Sequence, residues 1–525
     1  MSGKGIRKML TKLALGCCFI IFFICVLGIV LEAPFRIYLY LQRNRRVERP
    51  HHDEAAQPRK KPYFHLIQLP VFNEDFSLVA QLLQSAVTLE YPKDRMMVQL
   101  LDDSDDPLLS KKIKTLVEDL SMAAPDLQLC YLHRTERKDF KAGNLNHGLI
   151  TAQSVLEKKG IVGSARSHEV LISIFDADFV VPTDYLDKVE QWFSETGVGV
   201  VQTGIDFYNR HASHYHQAIA VFQDNLHKRD FSVRSACGHL STFRGSAGTI
   251  RMQMLAAYGF WAGDTQIEDV DLSFCAQADG WRVVYDSSIC CSSSLPSGAN
   301  EYKLQQRSWV KGLMEVMKKN LHPLITSKHL GMSQKLFGVE FFALFALQPL
   351  FMVISHLLII PTCLFWHILG QPFSLDVTAL LIFGLLWVSH IPFLSVSARD
   401  IGVEGSERAL DGITQMIRSF FIMVGLFSAL TFGLIEGLAG RRVHRDRTIK
   451  RNGEKDDTAY PEVSTKGSQL LKTIWYFELL VAGNSLVTPF FLLSLDHTST
   501  ALIYLIPAVI YPVQAFWSYS LLRKG

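Results

Sequence analysis

An unbroken apolar run at 13–31 is the feature that most constrains the fold of this chain. The run is long enough to cross a bilayer and too long for the core of a typical signal peptide, so we interpret it as a membrane anchor. Four Lys or Arg residues precede the run, and eight come after it between Arg36 and Lys61. This positive-inside bias predicts that the residues after the anchor lie in the cytosol.

Further apolar runs predict four more membrane spans, at 337–366, 376–396, 470–495 and 500–522, the first of them tilted or bent at Pro349. The stretch 411–438 differs, because it contains Arg418 and Glu436 and precedes a strongly basic segment. A crossing there would place that segment outside, so we interpret 411–438 as an interfacial or re-entrant helix, with a sixth span as the alternative. We expect a multi-pass protein of the plasma (inner) membrane, with a Golgi membrane as the alternative.

The composition excludes some functions. Hydrophobic residues make up 48% of the chain, which argues against a wholly soluble protein, and a net charge of +3 argues against nucleic-acid binding. The nine cysteines include no CxxC pair, so we interpret them as reduced and structural. No metal-ligand pattern is completed near His211, His214 and His216, which we expect at the surface or in packing.

The region 62–300 alternates between short apolar runs and helical stretches. HLIQLPVF, MMVQLL, LQLCYLHR, VLISIF and VGVVQT are typical of buried strands, and FSLVAQLLQSAV and SKKIKTLVEDL of the helices between them. This alternation predicts an α/β domain with a mostly parallel sheet and helices on both faces. We divide the chain into an anchor and basic linker (1–61), this domain (62–300), an interfacial helix (301–335) and C-terminal membrane helices (336–525).

Acidic residues come directly after the predicted strands, where ligands bind in such sheets. They are Asp102 and Asp103, then Asp176 and Asp178, with a third pair at Glu268 and Asp269. A single pair could merely cap a helix, as Asp106 could, but three pairs in one domain would repel one another unless a cation neutralised them. The Asp-x-Asp spacing suits Mg²⁺ or Mn²⁺ bound to a diphosphate, and Asp269 could act as a general base. These features predict glycosyl transfer from a nucleotide sugar.

LPVFNE, LDDSDD, KAGNLN, DAD, IED and QQRSW occur in the order found in family 2 processive glycosyltransferases. The chain resembles their cellulose-synthase-like members, especially plant-type mannan and glucan synthases and bacterial relatives. The resemblance implies a GT-A glycosyltransferase domain between α-helical transmembrane segments, and inverting transfer. It also identifies RTIKRNG (447–453) as a degenerate gating loop.

The resemblance also implies residue roles. The donor site would be opened by Pro70, Asn73 and Glu74, its nucleotide contacted by Asp102 and Asp103, and the donor bound by Lys141. Diphosphate and metal would be held by Asp176 and Asp178, and the base would be Asp269, supported by Glu268. An acceptor-side loop would be formed by Gly245 and Ser246.

QQRSW corresponds to the family's QxxRW pattern, in which the tryptophan stacks on the acceptor sugar. By resemblance, Trp309 takes that role, and Gln305, Gln306 and Arg307 hold the diphosphate or the polymer end. Ser308 stands where the family has arginine, and one position on a helix turns a side chain by about 100°. We therefore expect a local helix adjustment, a substitute cation such as Lys311, or weaker donor binding. The simpler alternative is an amphipathic interfacial helix with a tryptophan anchor.

Together these patterns predict a processive, inverting β-glycosyltransferase that polymerises hexose from UDP-glucose or GDP-mannose and moves the β-glycan across the membrane. Two alternatives remain. One is a non-processive transferase acting on a lipid acceptor. The other is a catalytically silent membrane scaffold, which the retained carboxylates disfavour.

Overall fold

The computed structural model describes residues 3–47, 62–158, 160, 167–369, 408–440, 465–494 and 498–524. The predicted span at 376–396 and the predicted gating loop at 447–453 lie outside the described residues.

A seven-stranded sheet forms the centre of the domain that comes after the first helix. Its strands are β1 (Phe64–Val71), β2 (Met96–Asp102), β3 (Gln128–His133), β4 (Val170–Ile174), β5 (Val198–Phe207), β6 (Gly248–Arg251) and β7 (Arg282–Ser293). They are ordered β3-β2-β1-β4-β6-β5-β7, and β6 runs antiparallel to both of its neighbours, while the other pairs are parallel. The expected mostly parallel sheet is thus confirmed. The five predicted strands are β1 to β5.

Helices cover both faces of the sheet and continue beyond it. They are α1 (Gly3–Leu41), α2 (Phe76–Val87), α3 (Pro107–Ala123), α4 (Phe140–Lys158), α5 (Tyr185–Glu190), α6 (His214–Asp224), α7 (Ser232–Ala236), α8 (Met252–Ala257), α9 (Glu268–Ala278), α10 (Ala299–Thr326), α11 (Met332–Phe342), α12 (Gln348–Leu369), α13 (Arg408–Ala439), α14 (Thr465–Ser494) and α15 (Thr498–Lys524). Short 3₁₀ turns lie at Lys93–Arg95, Ser167–Glu169 and Gln191–Ser194, and π-helical turns at Asn225–Phe231 and Ala343–Leu347.

The sheet is buried on both faces because its apolar residues alternate. In β1, Ile67 and Leu69 pack into a core with helices α2, α3, α5 and α6, whereas Phe64 and Leu66 pack into a core with α4, α8 and α9. This two-residue period sends successive side chains to opposite faces, and burial on both faces is typical of parallel sheets.

Side-chain caps begin two of the covering helices. Asp75 accepts a hydrogen bond from the Ser77 amide at the start of α2. Asp106 accepts from the amides of Leu108 and Leu109, and Pro107 takes the first position of α3, where its missing N–H costs nothing. The interpretation of Asp106 as a helix cap is confirmed.

Four of the described helices contain segments long and apolar enough to cross a membrane: Met9–Leu41, Gln348–Leu369, Ile417–Ala439 and Gly467–Ser494. The predicted spans at 13–31 and 470–495 correspond to two of them. The predicted span at 337–366 is interrupted, because the π-helical turn just before Pro349 separates α11 from α12. The prediction at 500–522 corresponds to α15, which is helical but is not one of these four.

The stretch 411–438 lies within the continuous helix α13, which packs along α10. A Cβ atom built on Gly433 would lie 2.4 Å from the carbonyl oxygen of Arg307, and one built on Gly437 would lie 2.6 Å from that of Lys311. The two backbones therefore touch, as small residues allow between membrane helices. The interfacial placement of 411–438 stays a prediction.

This contact yields a stability prediction. Gly433→Ala should lower the apparent melting temperature in detergent, because its methyl group would overlap the α10 backbone, an overpacking that costs about 1–3 kcal/mol. Gly483→Ala, in α14, is the matched control, since no atom of the described residues lies within 4 Å of its added Cβ. That variant should melt at the wild-type temperature or above it, because alanine favours helix. Equal melting temperatures for the two variants would contradict the close contact.

Candidate active site

One cavity of about 400 Å³ lies between the carboxyl ends of the sheet strands and the helices α10 to α13. Most of the residues selected from the sequence line it: Pro70, Glu74, Asp103, Lys141, Asp176, Asp178, Gly245, Glu268, Asp269, Gln305, Gln306 and Trp309. The acidic pairs, far apart in the chain, therefore meet in one place, and Trp309 lies with them.

Four selected residues do not line the cavity: Asn73, Asp102, Ser246 and Arg307. Asn73 instead joins the loops after β1 and β2, since its amide nitrogens reach Ser104 and Asp105. Ser246 supports the site from behind, because its hydroxyl accepts a hydrogen bond of 2.9 Å from the Asp176 amide.

The two aspartates at the end of β2 have different surroundings. Asp102 is fully buried and accepts hydrogen bonds from the Ser104 amide and the Tyr131 hydroxyl, so it shapes the loop. Asp103 faces the cavity and accepts hydrogen bonds of 2.7 and 2.6 Å from Arg134. Of the pair, Asp103 is the residue that a nucleotide could reach.

A planar group lies beside Asp103. The Arg137 guanidinium carbon is 3.3 Å from the ring centroid of Phe72, and both side chains line the cavity. A flat cation and an aromatic ring next to a carboxylate suit a nucleobase, which offers a π-face for stacking and N–H groups for the carboxylate. Neither residue was selected from the sequence: Phe72 lies within LPVFNE, which was the available signal, whereas Arg137 lies in none of the quoted motifs.

Lys141 connects two loops at the centre of the cavity. Its ammonium nitrogen lies 2.6 Å from the Asp176 carboxylate and 2.8 Å from the carbonyl oxygen of Gly245. Lys141 comes from α4 and Asp176 lies just after β4, whereas Gly245 precedes β6. The lysine therefore fixes the acidic strand end against the glycine loop.

Asp178 is oriented by hydrogen bonds at the end of β7. One of its carboxylate oxygens accepts from the hydroxyls of Ser293 and Ser294 and from the Ser294 amide. Among the described residues, no group of three or more His, Cys, Asp or Glu could hold a metal ion. Asp176 and Asp178 nevertheless fit a hard cation, because Mg²⁺ and Mn²⁺ bind one or two carboxylates and complete their shell with water and phosphate oxygens.

Asp269 occupies the first turn of α9, beside Glu268. Burial and the neighbouring Glu268 charge raise the pKa of Asp269 to about 6, while Lys141, the Val270 amide and Arg244 act in the opposite direction. A carboxyl group with a pKa near neutrality can accept a proton at physiological pH, as a general base must.

Gly245 approaches Asp269 closely. Its φ angle is +79°, and a Cβ atom there would lie 2.8 Å from a carboxylate oxygen of Asp269. A side chain at this position would therefore strain the backbone and displace the carboxylate.

Arg307 points away from the cavity. Its guanidinium lies 2.5 Å from the Glu436 carboxylate of α13 and is almost completely buried. The prediction that Arg307 holds the donor is therefore corrected. Arg307 stands one position before the arginine of the family pattern, and on a helix this difference turns its side chain towards α13. Lys311, the suggested substitute, lies 3.9 Å from Glu315 and does not line the cavity either.

Arg244 is the cation that lies beside Trp309. Its guanidinium carbon is 5.5 Å from the Trp309 ring centroid, and both residues line the cavity. Arg244 directly precedes the selected Gly245 in FRGSAG, so this motif was the available signal. The sequence did not show that the arginine would reach the tryptophan.

The far side of the cavity is apolar. Side chains from α6, the turn Asn225–Phe231 and α10 to α13 line it: Phe222, Leu226, Val310, Leu313, Phe341, Leu344, Phe345, Pro349, Met423, Leu426, Phe427 and Leu430. The cavity thus changes from acidic and polar near the sheet to apolar among the long helices.

Two family models match the chain. The Glycosyl transferase family 2 model matches residues 67–256, and the Glycosyl transferase family group 2 model matches 171–390. Together the matches run from 67 to 390, more than half of the chain, and they include the sheet, QQRSW and α12.

Curated relatives are plant mannosyltransferases. A probable glucomannan 4-beta-mannosyltransferase 7 from Oryza sativa subsp. japonica is 28% identical over 299 residues, which cover 56% of this chain and 48% of the relative. Glucomannan 4-beta-mannosyltransferase 1 from the same organism is 29% identical over 309 residues, 57% of this chain and 55% of the relative. The chain spans about half the length of these relatives.

A solved structure shares the fold. The mannosyltransferase PcManGT from Pyrobaculum calidifontis, in complex with GDP-Man and Mn²⁺, aligns with a TM-score of 0.50 and 16% identity. The alignment covers 77% of this chain and 99% of that chain. The expected GT-A fold is confirmed.

Gly245→Ala tests the close approach to Asp269. We expect turnover of a nucleotide-sugar donor to fall at least tenfold, because a small misplacement of a reacting group is costly. Gly259→Ala is the matched control: its φ angle is +71°, and nothing lies within 4 Å of its added Cβ. Both variants should lose similar thermal stability from backbone strain, but Gly259→Ala should keep wild-type turnover. Equal turnover in the two variants would contradict this geometry.

Proposed function

The chain belongs to glycosyltransferase family 2, and we propose that it transfers a hexose from a nucleotide sugar to an acceptor hydroxyl, with inversion at the anomeric carbon. One observation carries the proposal: Asp103, Asp176, Asp178, Asp269 and Trp309 line a single cavity. The proposed nucleoside site, diphosphate site, base and sugar-stacking surface would thus be contiguous.

The donor would extend along the sheet end of the cavity. Its nucleoside would lie by Asp103 and Arg137, and its diphosphate near Lys141, Asp176 and Asp178. A divalent ion held by Asp178 and Asp176 would, when bound, supply positive charge to the departing diphosphate. Lys141 orients Asp176 and adds a second positive charge at the same place.

Asp269 would accept the proton of the acceptor hydroxyl. The hydroxyl oxygen then forms a bond to the anomeric carbon of the donor while the bond from that carbon to the diphosphate oxygen breaks. The nucleoside diphosphate leaves with that electron pair, and attack from the opposite face inverts the configuration. Glu268 supports this step, because its charge helps raise the pKa of Asp269.

For the product, we propose a β-linked glycan that is extended processively and passed across the membrane. Trp309 supports this proposal, because its indole lines the cavity where an acceptor sugar would stack. The helices that continue the cavity, α12 and α13, include candidate membrane spans. The catalytic domain would face the cytosol, at the plasma (inner) membrane.

A second candidate is a single transfer to a lipid-borne acceptor. The apolar lining favours it, because a hydrocarbon chain gains free energy beside Phe345, Leu426 and Leu430, whereas glycan hydroxyls find few partners there. Product length separates the two candidates.

The donor and product can be tested directly. We expect purified protein in nanodiscs to consume either UDP-glucose or GDP-mannose in the presence of Mg²⁺ or Mn²⁺, and chelation by EDTA to stop the reaction. Linkage analysis and sizing of the labelled product should show a β-linked chain of many sugars. A product with one added sugar would establish the second candidate. No donor consumption with either nucleotide sugar would refute the transferase.

Asp269 should control the pH dependence. Because its pKa is about 6, the carboxyl is protonated below that pH and cannot accept a proton; kcat/KM should therefore rise with pH and level off above about 6. Asp269→Asn should lower turnover by about 10²- to 10⁴-fold and abolish this limb of the profile. Asp279→Asn, at the other end of α9, is the control and should keep both. Wild-type turnover in Asp269→Asn would remove the base from the mechanism.

A further inference from the structure

Two buried polar groups that line the cavity have no hydrogen-bond partner among the residues that the structure describes. The Oδ1 atom of Asn225 and the Nε2 atom of Gln306 are each unpaired, and both residues are more than nine-tenths buried and line the cavity. A buried polar group of this kind is usually satisfied by a ligand or by ordered water, and these two are placed where a ligand of the cavity could reach them.

Arg244 is a partly buried cation that lines the same cavity. Its side chain forms no hydrogen bond or ion pair with any residue that the structure describes, although the Asp269 charge acts on it at longer range. Its guanidinium lies between two aromatic rings, 5.5 Å from the centroid of Trp309 and 4.7 Å from that of Phe231. Burial lowers the pKa of Arg244, so a partner that accepts hydrogen bonds would be favoured here.

These three residues come from separate elements. Asn225 begins the π-helical turn after α6, Gln306 belongs to α10, and Arg244 precedes β6. A π-helical turn inside a helix is costly and is common at functional sites. It ends the α-helical register at Asn225, whose side chain lines the cavity.

The hydrogen-bonding chemistry of these three side chains indicates what kind of ligand they would bind. Gln306 Nε2 and Arg244 donate hydrogen bonds, whereas Asn225 Oδ1 accepts one. Sugar hydroxyls both donate and accept, so neighbouring hydroxyls on one ring could satisfy all three. The Trp309 indole, which lines the same cavity and lies 5.5 Å from the Arg244 guanidinium carbon, offers a flat face for the C–H surface of a pyranose.

We propose that Asn225, Arg244 and Gln306 form a subsite that binds hydroxyl groups of the acceptor pyranose stacked on Trp309. The subsite rests on the proposed glycosyl transfer, and it determines which sugar is accepted rather than which donor is used. Neither Asn225 nor Arg244 was selected from the sequence, and Gln306 was assigned there to the diphosphate or the polymer end.

Apolar variants of similar shape test the subsite. Asn225→Leu and Gln306→Met should each raise the acceptor KM about five- to tenfold, with donor KM and donor hydrolysis unchanged. The acceptor probes are β-1,4-mannobiose, cellobiose and octyl β-D-glucopyranoside. Because the replaced atoms have no protein partner, both variants should melt at or above the wild-type temperature.

Gln223→Met is the matched control. Gln223 is similarly buried, but its Nε2 atom donates to the Tyr302 hydroxyl and the residue does not line the cavity. This variant should lose thermal stability and keep the wild-type acceptor KM. The opposite pattern, stability lost in Asn225→Leu with acceptor KM unchanged, would mean that only structural water satisfies the orphan groups and would overturn the subsite.

Three further outcomes distinguish a failure of the subsite from a failure of the proposed function. If the wild type hydrolyses the donor but glycosylates none of the three probes, the pyranose subsite is refuted while donor chemistry stands. If donor KM rises in Gln306→Met, the residue belongs to the donor site and the subsite is refuted as well. An absence of donor hydrolysis in the wild type would instead refute the proposed function.

Discussion

The Lys141 ammonium holds the reaction centre together, because it lies among carboxylates that would otherwise repel one another. It bonds to Asp176 and to the Gly245 carbonyl, and its charge acts on Asp269. Burial and Glu268 raise the pKa of Asp269, and Lys141 limits that rise, so the carboxyl remains ionised near neutrality. Without such a charge, two acidic strand ends and the start of α9 could not converge on one buried cavity at acceptable free energy. The proposed diphosphate site and the proposed base therefore depend on one lysine.

The second constraint is the packing of α13 against α10, which determines the direction that each QQRSW side chain takes. The glycines of α13 bring its backbone against the carbonyls of Arg307 and Lys311, and Glu436 pairs with Arg307. Arg307 is thereby committed to the helix interface. Gln306 and Trp309 lie on the cavity side of the same helix. A membrane-type helix contact thus positions Trp309, the proposed sugar-stacking residue, beside cavity groups that come from the sheet.

Much of this arrangement can be predicted from the sequence, since local pattern specifies local structure. The apolar runs located β1 to β5, and the motif order indicated which strand ends would meet. The sequence did not reveal β6, which has four residues, or β7, whose Asp286 and serines interrupt its apolar pattern. Arg307 was misassigned because its direction depends on Glu436, 129 positions away. Arg244 and Asn225 were missed for a similar reason: their proposed roles depend on distant elements that meet only at the folded cavity.

Product length depends on how the cavity lining receives the part of the acceptor that extends beyond the sugar ring on Trp309. Donor chemistry is the same for a polymer and for a glycolipid, because both need the carboxylates and the base. The two acceptors differ in the group attached to the sugar ring that stacks on the indole. A second pyranose would carry hydroxyls past Phe345 and Leu430, and each buried hydroxyl left without a partner costs about 1–3 kcal/mol. A hydrocarbon chain in the same place gains about 25 cal/mol per Å² of apolar surface buried. The energetic difference between the candidate products therefore arises from the apolar side chains of α11 to α13 and of the turn between α11 and α12.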